Sequence, residues 1–325
     1  MSDHLCARVP KAEGQVAKGM LMQASAFDRS RRIGGEGAFV YIPITRHVDG
    51  FDTVEFVTDG IEERAKDYRD LVDIPNDMLP TSFDVVGDVA IMKVPDDMRH
   101  VSKDIGEALL KVNTKLRAVM MDSGVKGDLR VRELTRIAGI GGSETIHKEF
   151  GVRLMTDPSK VYFNPRLSME RSRIASEVKD GEVIIDMFAG VAPFGMVICK
   201  AARPNVVYSM DLNPYAEHYM RRNMELNKVS NVIPMTGDAR VLMKGLPIAD
   251  RIIMNLPQTA DLFLDVAREG LRPNGTIHIY KILEGSQLDD FIGSLGSQGL
   301  KVRSNRALKS YSPSMAVYHF DLTLN

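Results

Sequence analysis

The chain lacks the features that mark several protein classes. It has 325 residues but only two cysteines, Cys6 and Cys199, far apart in sequence. Neither a disulfide framework nor a C-x-x-C metal signature can be built from them, which excludes a disulfide-stapled scaffold and fits a reducing cytoplasm. Cys199 lies in an apolar helical pattern and reads as a small buried hydrophobe. The net charge of −1 gives no global positive field. No charged-then-apolar leader opens the chain. The most apolar stretch, Val183 to Ala202, is interrupted by Asp186, Gly190, Pro193, Gly195 and Lys200, which excludes a membrane span. Internal repeats and low-complexity tracts are also missing. What remains is a globular chain of two or three domains, 44% hydrophobic and 26% charged, long enough for a sizeable core.

Three regions follow from the patterning. Residues 1 to 72 combine a helical stretch near Lys11–Ala26 with alternating strands at 38–44 and 54–57, a small α+β module. The proline-bearing segment 73–81 reads as a linker. Residues 73–155 then carry a helix at 103–115 among short strands, including 83–86, 89–94, 119–121, 129–134, 145–150 and 153–156. The alternation predicts that the β pattern continues at 160–163. Between Arg99 and Arg136, nine Lys/Arg stand against five Asp/Glu, a local basic bias that is equally what a solvated face displays. From residue 156 to 325 strands and helices alternate, which predicts a doubly wound, mostly parallel sheet closed by an antiparallel hairpin near Tyr311–Pro313.

In this third region the segment Glu182–Phe194 carries the most information. An apolar strand ends in Asp186, a small-residue turn Ala189-Gly190-Val191-Ala192 follows, and an apolar helix begins. An open α/β sheet presents a nucleotide-like cofactor at such a strand end. The G-x-G-x-x-G phosphate cradle is absent. A nucleoside without a pyrophosphate fits this combination, and S-adenosylmethionine is the leading candidate. Asp211, ending the next strand, is placed to accept both ribose hydroxyls, with Asn213 free to cap the helix that opens at Pro214. Asp238 ends the third strand, where it serves either the adenine amino group or a plain turn. Asn255-Leu256-Pro257 ends the fourth, where it offers an amide at fixed geometry or simply opens a loop. Glu170, spaced three before Arg173, reads locally as a helix ion pair.

Together these segments resemble a known family. They are Ser82–Asp88, Arg130-Val131-Arg132-Glu133-Leu134, Thr145–Glu149, Val161-Tyr162-Phe163-Asn164-Pro165-Arg166-Leu167, Glu170-Arg171, Asp186–Val191 and Asn255-Leu256-Pro257. In that order the chain is similar to the archaeal and eukaryotic type tRNA (guanine-N1) methyltransferases, which modify guanosine 37. The likeness is strong over about residues 80–325 and extends weakly into the first module. Ala192 stands where that family usually has glycine, and a methyl there is expected to crowd the cofactor loop.

The resemblance implies an α/β fold: a class I, Rossmann-like methyltransferase domain, a β-rich RNA-binding middle domain gripping the anticodon stem-loop, and a small N-terminal α+β domain at the tRNA elbow. It implies S-adenosylmethionine as cofactor and tRNA as partner, with no membrane or protein partner expected. Guanine N1 carries a proton at neutral pH, so its methylation needs a base and a cation for the charge that moves to O6. By the resemblance Glu170 is the base, Arg130 stabilises O6, and Asn255 fixes the guanine or the cofactor. Cofactor contacts are expected at Tyr162, Arg171, Asp186, Asp211, Leu212, Asp238, Ala239 and Asn255. His147 reads as a structural hydrogen bonder in a β turn. Two other functions fit the same outline. One is a wybutosine-pathway enzyme on the same nucleotide, by aminocarboxypropyl transfer or methylation of a tricyclic intermediate. The other is a non-catalytic tRNA-binding protein.

Overall fold

The computed structural model describes all residues except Met1, 61–64, Lys66, Asp128, Arg130, Tyr311, Pro313 and Asn325, and the side chains of Ser2, Lys126, Lys309 and Ser310. The chain forms two compact units, Met1–Asp70 and Leu71–Asn325.

The first unit contains β1 (Ser2–Pro10), α1 (Gly14–Gln23), β2 (Gly34–Glu36), β3 (Phe39–Pro43) and β4 (Asp52–Thr58). Its strands pair antiparallel in the order β2-β3-β1-β4. One face of the sheet is covered by α1, whose Ala17 and Leu21 pack on Ala7, Val9, Ile42 and Ile44. Their i, i+4 spacing places both on one helix face.

The second unit opens with β5 (Phe83–Val86), β6 (Val89–Met92), α2 (Ser102–Val112), β7 (Ala118–Lys126) and β8 (Val131–Gly139). Because α2 is a crossover, β6 and β7 run parallel, while the outer pairs are antiparallel. β9 (Thr145–Glu149) and β10 (Val152–Thr156) form a hairpin. Segment 160–163 does not continue it. Asp157 turns the chain instead, its carboxylate accepting from Ser159 N–H and its carbonyl from Lys160 and Val161. His147 lies within β9 rather than in a turn. Its Nδ1 accepts the Gly87 N–H at 3.3 Å, a structural tie between β9 and the β5–β6 turn.

The rest alternates: α3 (Ser168–Glu177), β11 (Val183–Asp186), α4 (Pro193–Ala201), β12 (Val206–Asp211), α5 (Pro214–Asn227), β13 (Val232–Thr236), α6 (Ala239–Leu242), β14 (Ala249–Met254), α7 (Leu264–Glu269), β15 (Leu271–Glu284), α8 (Leu288–Ser297), β16 (Leu300–Ser310) and β17 (Met315–Leu324). The seven strands follow the order β13-β12-β11-β14-β15-β17-β16. β11 to β15 are parallel, and β17 is inserted antiparallel between β15 and β16. Order reverses between β11 and β14, the point at which open α/β sheets bind ligands.

Each face of this sheet has its own core. Ile185, Met210, Ile252, Leu264 and Phe320 belong to one. The other joins Ile174, Phe194, Ile198 and Val207 to Ile91 and Met120 of the four-stranded sheet and Leu154 of the hairpin. Residues on both sides of position 155 therefore share one continuous core. Cys199 is half-buried, and burial pushes its thiol up to about 12, consistent with an inert packing residue. Among the described residues no helix is long and apolar enough to cross a membrane.

Candidate active site

The parallel strands end together, and backbone bonds lock their ends. Met187 N–H donates to Ile253 O at 3.0 Å, Ala189 N–H to Met210 O at 2.8 Å, and Gly237 N–H to Asp211 O at 3.0 Å. Gly190 sits at φ +55, and a Cβ there would lie 2.8 Å from the Tyr162 carbonyl, so the turn requires glycine. Ala192 is also left-handed, at φ +57, and caps α4 before Pro193. It is buried and is not part of the cavity wall, so its methyl does not enter the cavity.

These ends floor a cavity of about 700 Å³. Tyr162, Asp211, Leu212, Asp238, Ala239 and Asn255, all expected at the site, line it, together with Phe188 and Phe263. Asp211 Oδ2 accepts the Gly190 N–H at 2.7 Å, and Oδ1 accepts the Asn213 N–H at 2.9 Å. Each oxygen keeps a lone pair for a ligand hydroxyl. Burial raises its carboxyl above the usual range. Asn213 caps α5 through Tyr215 N–H, as its sequence position suggested. Asp238 also caps a helix, α6, and holds the Arg240 guanidinium at 2.6 Å, which lowers its carboxyl. Its capping role and its place in the wall coexist.

Asn255 Oδ1 is buried in this wall with no hydrogen-bond partner among the described residues. Leaving such an acceptor empty costs about 1–3 kcal/mol, so it marks a position built for a ligand donor. Asp186 is fully buried just behind the wall, and neither oxygen completes a hydrogen bond. Burial, with a smaller push from Asp211, raises its carboxyl to about 8. Its side chain does not line the cavity.

The opposite wall comes from the four-stranded sheet: Phe83, Asp84, Ile91, Lys93, Asp122 and Arg132. Asp84 binds Arg132 at 3.1 Å and also Arg166, while Arg132 reaches Asp122 at 3.4 Å. Asp84, Arg132 and Arg166 occur in the family-like segments, but nothing local distinguishes them; only the fold brings the three together. Arg130, expected to stabilise O6, lies outside the described residues.

α3 places its two expected residues differently. Arg171 does not line the cavity. It is 1% exposed and forms a two-pronged pair with Glu149, both contacts at 2.6 Å, while Nη1 holds Asn164 O at 3.1 Å. Burial alone would raise Glu149; hydrogen bonds from His147 and Arg171 outweigh it and keep the carboxylate ionised. Removing one partner of such a pair costs about 3–5 kcal/mol, so Arg171 braces the hairpin and the Asn164–Pro165 turn. Glu170 is also buried and away from the wall, held by Arg306 at 2.5 Å and by Arg173 and Tyr280 at longer range.

A polar lattice continues beneath α3. His278 Nδ1 lies 2.5 Å from Asp321 Oδ1, and its Nε2 lies 2.6 Å from Arg251 Nη1. Burial pushes His278 down to about 3, so it is neutral, donating from Nδ1 and accepting at Nε2. Asp321 stays ionised, the hydrogen bonds from His278 and His319 outweighing its burial. His278, His319 and Asp321 cluster tightly enough to suggest a metal. Arg251 and Arg173 already occupy the imidazole nitrogens, however, and a cation would meet their charges.

Comparison with known proteins adds independent findings. The model of the TRM5/TYW2 methyltransferase domain matches residues 145–292, that of the TYW2 N-terminal domain 70–142, and that of the tRNA methyltransferase 5 N-terminal domain 6–52. The chain is 39% identical over 322 residues to the tRNA (guanine(37)-N(1))-methyltransferase Trm5b of Pyrococcus abyssi, covering 95% of this chain and 96% of that one. It is 34% identical, over 61% of its length and 77% of the relative's, to a tRNA(Phe) (4-demethylwyosine(37)-C(7)) aminocarboxypropyltransferase of Methanocaldococcus jannaschii. A solved complex of aTrm5 with tRNALeu superposes with a TM-score of 0.86 at 32% identity, covering 99% of this chain and 100% of that one.

Proposed function

We propose that this chain, which belongs to the archaeal-type Trm5 family of tRNA methyltransferases, transfers a methyl group from S-adenosylmethionine to N1 of guanosine 37 in tRNA. The observation that carries this reading is the strand-end cavity. It falls in the roughly 300–1,000 Å³ range of small-molecule sites. Asp211 offers two open lone pairs and Asn255 Oδ1 an unused acceptor on the same wall. Those acceptors suit the hydroxyl and amino groups of a nucleoside with an amino-acid tail.

When bound, the cofactor supplies an electrophilic methyl group on sulfonium sulfur. Asp211 takes the ribose hydroxyls, Leu212, Asp238 and Ala239 surround the base, and Tyr162 and Asn255 bound the reacting end. The Glu170 carboxylate would take the N1 proton and so free the N1 pair for the methyl group that the cofactor would supply, the departing pair remaining with its sulfur. Arg130 meets the charge that moves to O6. A positioned base contributes about 10²–10⁴-fold.

Guanine 37 must leave its stack to enter the cavity. Residues 1–72, 73–155 and 156–325 divide the work as elbow module, anticodon stem-loop module and methyltransferase domain. Several cations in the basic segment are neutralised internally, Arg117 by Asp88 and Arg132 by Asp84 and Asp122. The remaining lysines and arginines carry the phosphate contacts, with affinity falling as salt rises. A cytoplasmic location belongs to the same reading.

The test is incubation of labelled S-adenosylmethionine with tRNA transcripts bearing G or A at position 37, followed by mass analysis of the nucleoside. Label on the G transcript alone, as 1-methylguanosine, is expected. Equal labelling of both transcripts refutes the site, and an aminocarboxypropyl adduct refutes the reaction.

A further inference from the structure

Glu170 is gripped by a row of side chains that the sheet register creates. Tyr280 of β15 pairs opposite His319 of β17, and His319 pairs opposite Arg306 of β16. Directly paired residues of adjacent strands project to the same face. The three therefore form one row under α3, facing Glu170 and Arg173. The next pair on that face toward the cavity is Ile282 with Val317, and both line its wall. Glu170 is thus anchored on the row adjacent to the cavity.

The contacts in this row are unequal. Arg173 lies 3.4 Å from Glu170 Oε2 and is shared with Glu177 at 2.6 Å, His319 at 2.9 Å and Asp321 at 3.4 Å. Arg306 makes the short contact, 2.5 Å to Oε1, and has no second partner among the described residues. Its side chain is 42% exposed, whereas that of Glu170 is 10% exposed. Arg306 thus reaches in from the surface to a buried carboxylate that Arg173 also contacts. β16 also departs from regular pairing between Val302 and Ser304 and again between Ala307 and Lys309. These irregularities bracket Arg306, and bulges of this kind re-aim side chains beside active sites.

We propose that Arg306 is a positioning residue for Glu170: its guanidinium fixes one carboxylate oxygen, and the other, held only by the long contacts from Arg173 and Tyr280, takes the guanine N1 proton. The proposal rests on the reading of Glu170 as the base. It places a determinant of the reaction on the closing hairpin, 136 residues from the group it serves.

The experiment compares single-turnover rates at saturating tRNA and cofactor for wild type, R306Q, R306K, E170Q and the R306Q/E170Q double variant. All are measured well below each melting temperature, with tRNA affinity determined in parallel. R306Q is expected to slow the chemical step roughly ten- to a hundredfold, as for a misplaced catalytic group, with tRNA affinity within about twofold of wild type. R306K restores most of the rate, because one donor suffices. In the E170Q background R306Q adds no further loss, since the two residues act as one unit. A wild-type rate in R306Q, equal losses in R306K and R306Q, or the same fold-loss in both backgrounds overturns the proposal and leaves Glu170 in place. A wild-type rate in E170Q removes the base, and the proposal with it.

Discussion

Two adjoining parts of the larger unit treat buried polar groups in opposite ways. At the ends of β11 and β14, Asp186 and Asn255 bury oxygens that meet no partner among the described residues. Under α3, His278, Asp321, Arg251 and Arg173 are cross-bonded through several atoms each. Both arrangements carry a desolvation cost, and only the second recovers it within the chain. Of the two, Asn255 opens its unfilled acceptor into the cavity wall, whereas the filled groups brace the sheet. Glu170 lies in the braced part, although its expected task belongs to the open one, which is why the way it is held bears on its reactivity.

Paired truncations break or sustain that contrast most strongly. His278→Ala removes one hydrogen bond from each of Asp321 and Arg251, which keep their other partners, and should lower unfolding free energy by about 3–5 kcal/mol, with cofactor affinity little changed. Asp211→Ala removes two accepted backbone bonds and the ribose site, and should weaken S-adenosylmethionine binding by about a hundredfold, with a much smaller stability loss. Denaturant melts and calorimetry read both quantities; a swap of the two effects would erase the distinction.

A smaller effect follows from pH. The Asp186 carboxyl titrates at about 8 when folded, against ~3.9 in an unfolded chain. Between those values the folded state holds a proton that the unfolded state has released, so stability falls as pH rises from about 4 to 8. Asp186→Asn removes this dependence, and its gain over wild type should be roughly 2–4 kcal/mol larger at pH 8 than at pH 5. Parallel stability curves for the two proteins would mean that Asp186 is ionised and partnered.

Ala192→Gly gives the smallest change. It relieves a left-handed alanine worth about 1–2 kcal/mol and gives back part of that in glycine's chain entropy, for a net gain near 0.5–1 kcal/mol. Cofactor affinity should not move, because Ala192 is not in the wall; tighter binding would restore the crowding that the sequence suggested.

Much of the open region was legible in the sequence. Strand ends, helix caps and the Gly190 turn are local patterns, so position favoured Asp211 and left Asp238 and Asn255 open between a ligand and a turn; all three stand on one wall. The braced region was not. Arg171 reads like a cofactor residue beside Tyr162, yet it is claimed by Glu149 across a hairpin. Its guanidinium had to be neutralised where it was buried, and no periodicity announces that partner. The 160–163 segment misled for a related reason: its apolar alternation fits a strand, but the Asp157 turn bends the backbone away from β10.

By itself the sequence determined the family, the cofactor class and the strand-end residues, because each depends on chemistry within a few positions of chain. Tertiary structure alone decided which charged groups are free to meet a ligand and which are spent on one another. That choice depends on cross-strand register, which set Arg306 beside His319 and Tyr280 and brought it to Glu170. Register is fixed by packing both faces of the sheet, a property of the whole fold that no local pattern contains.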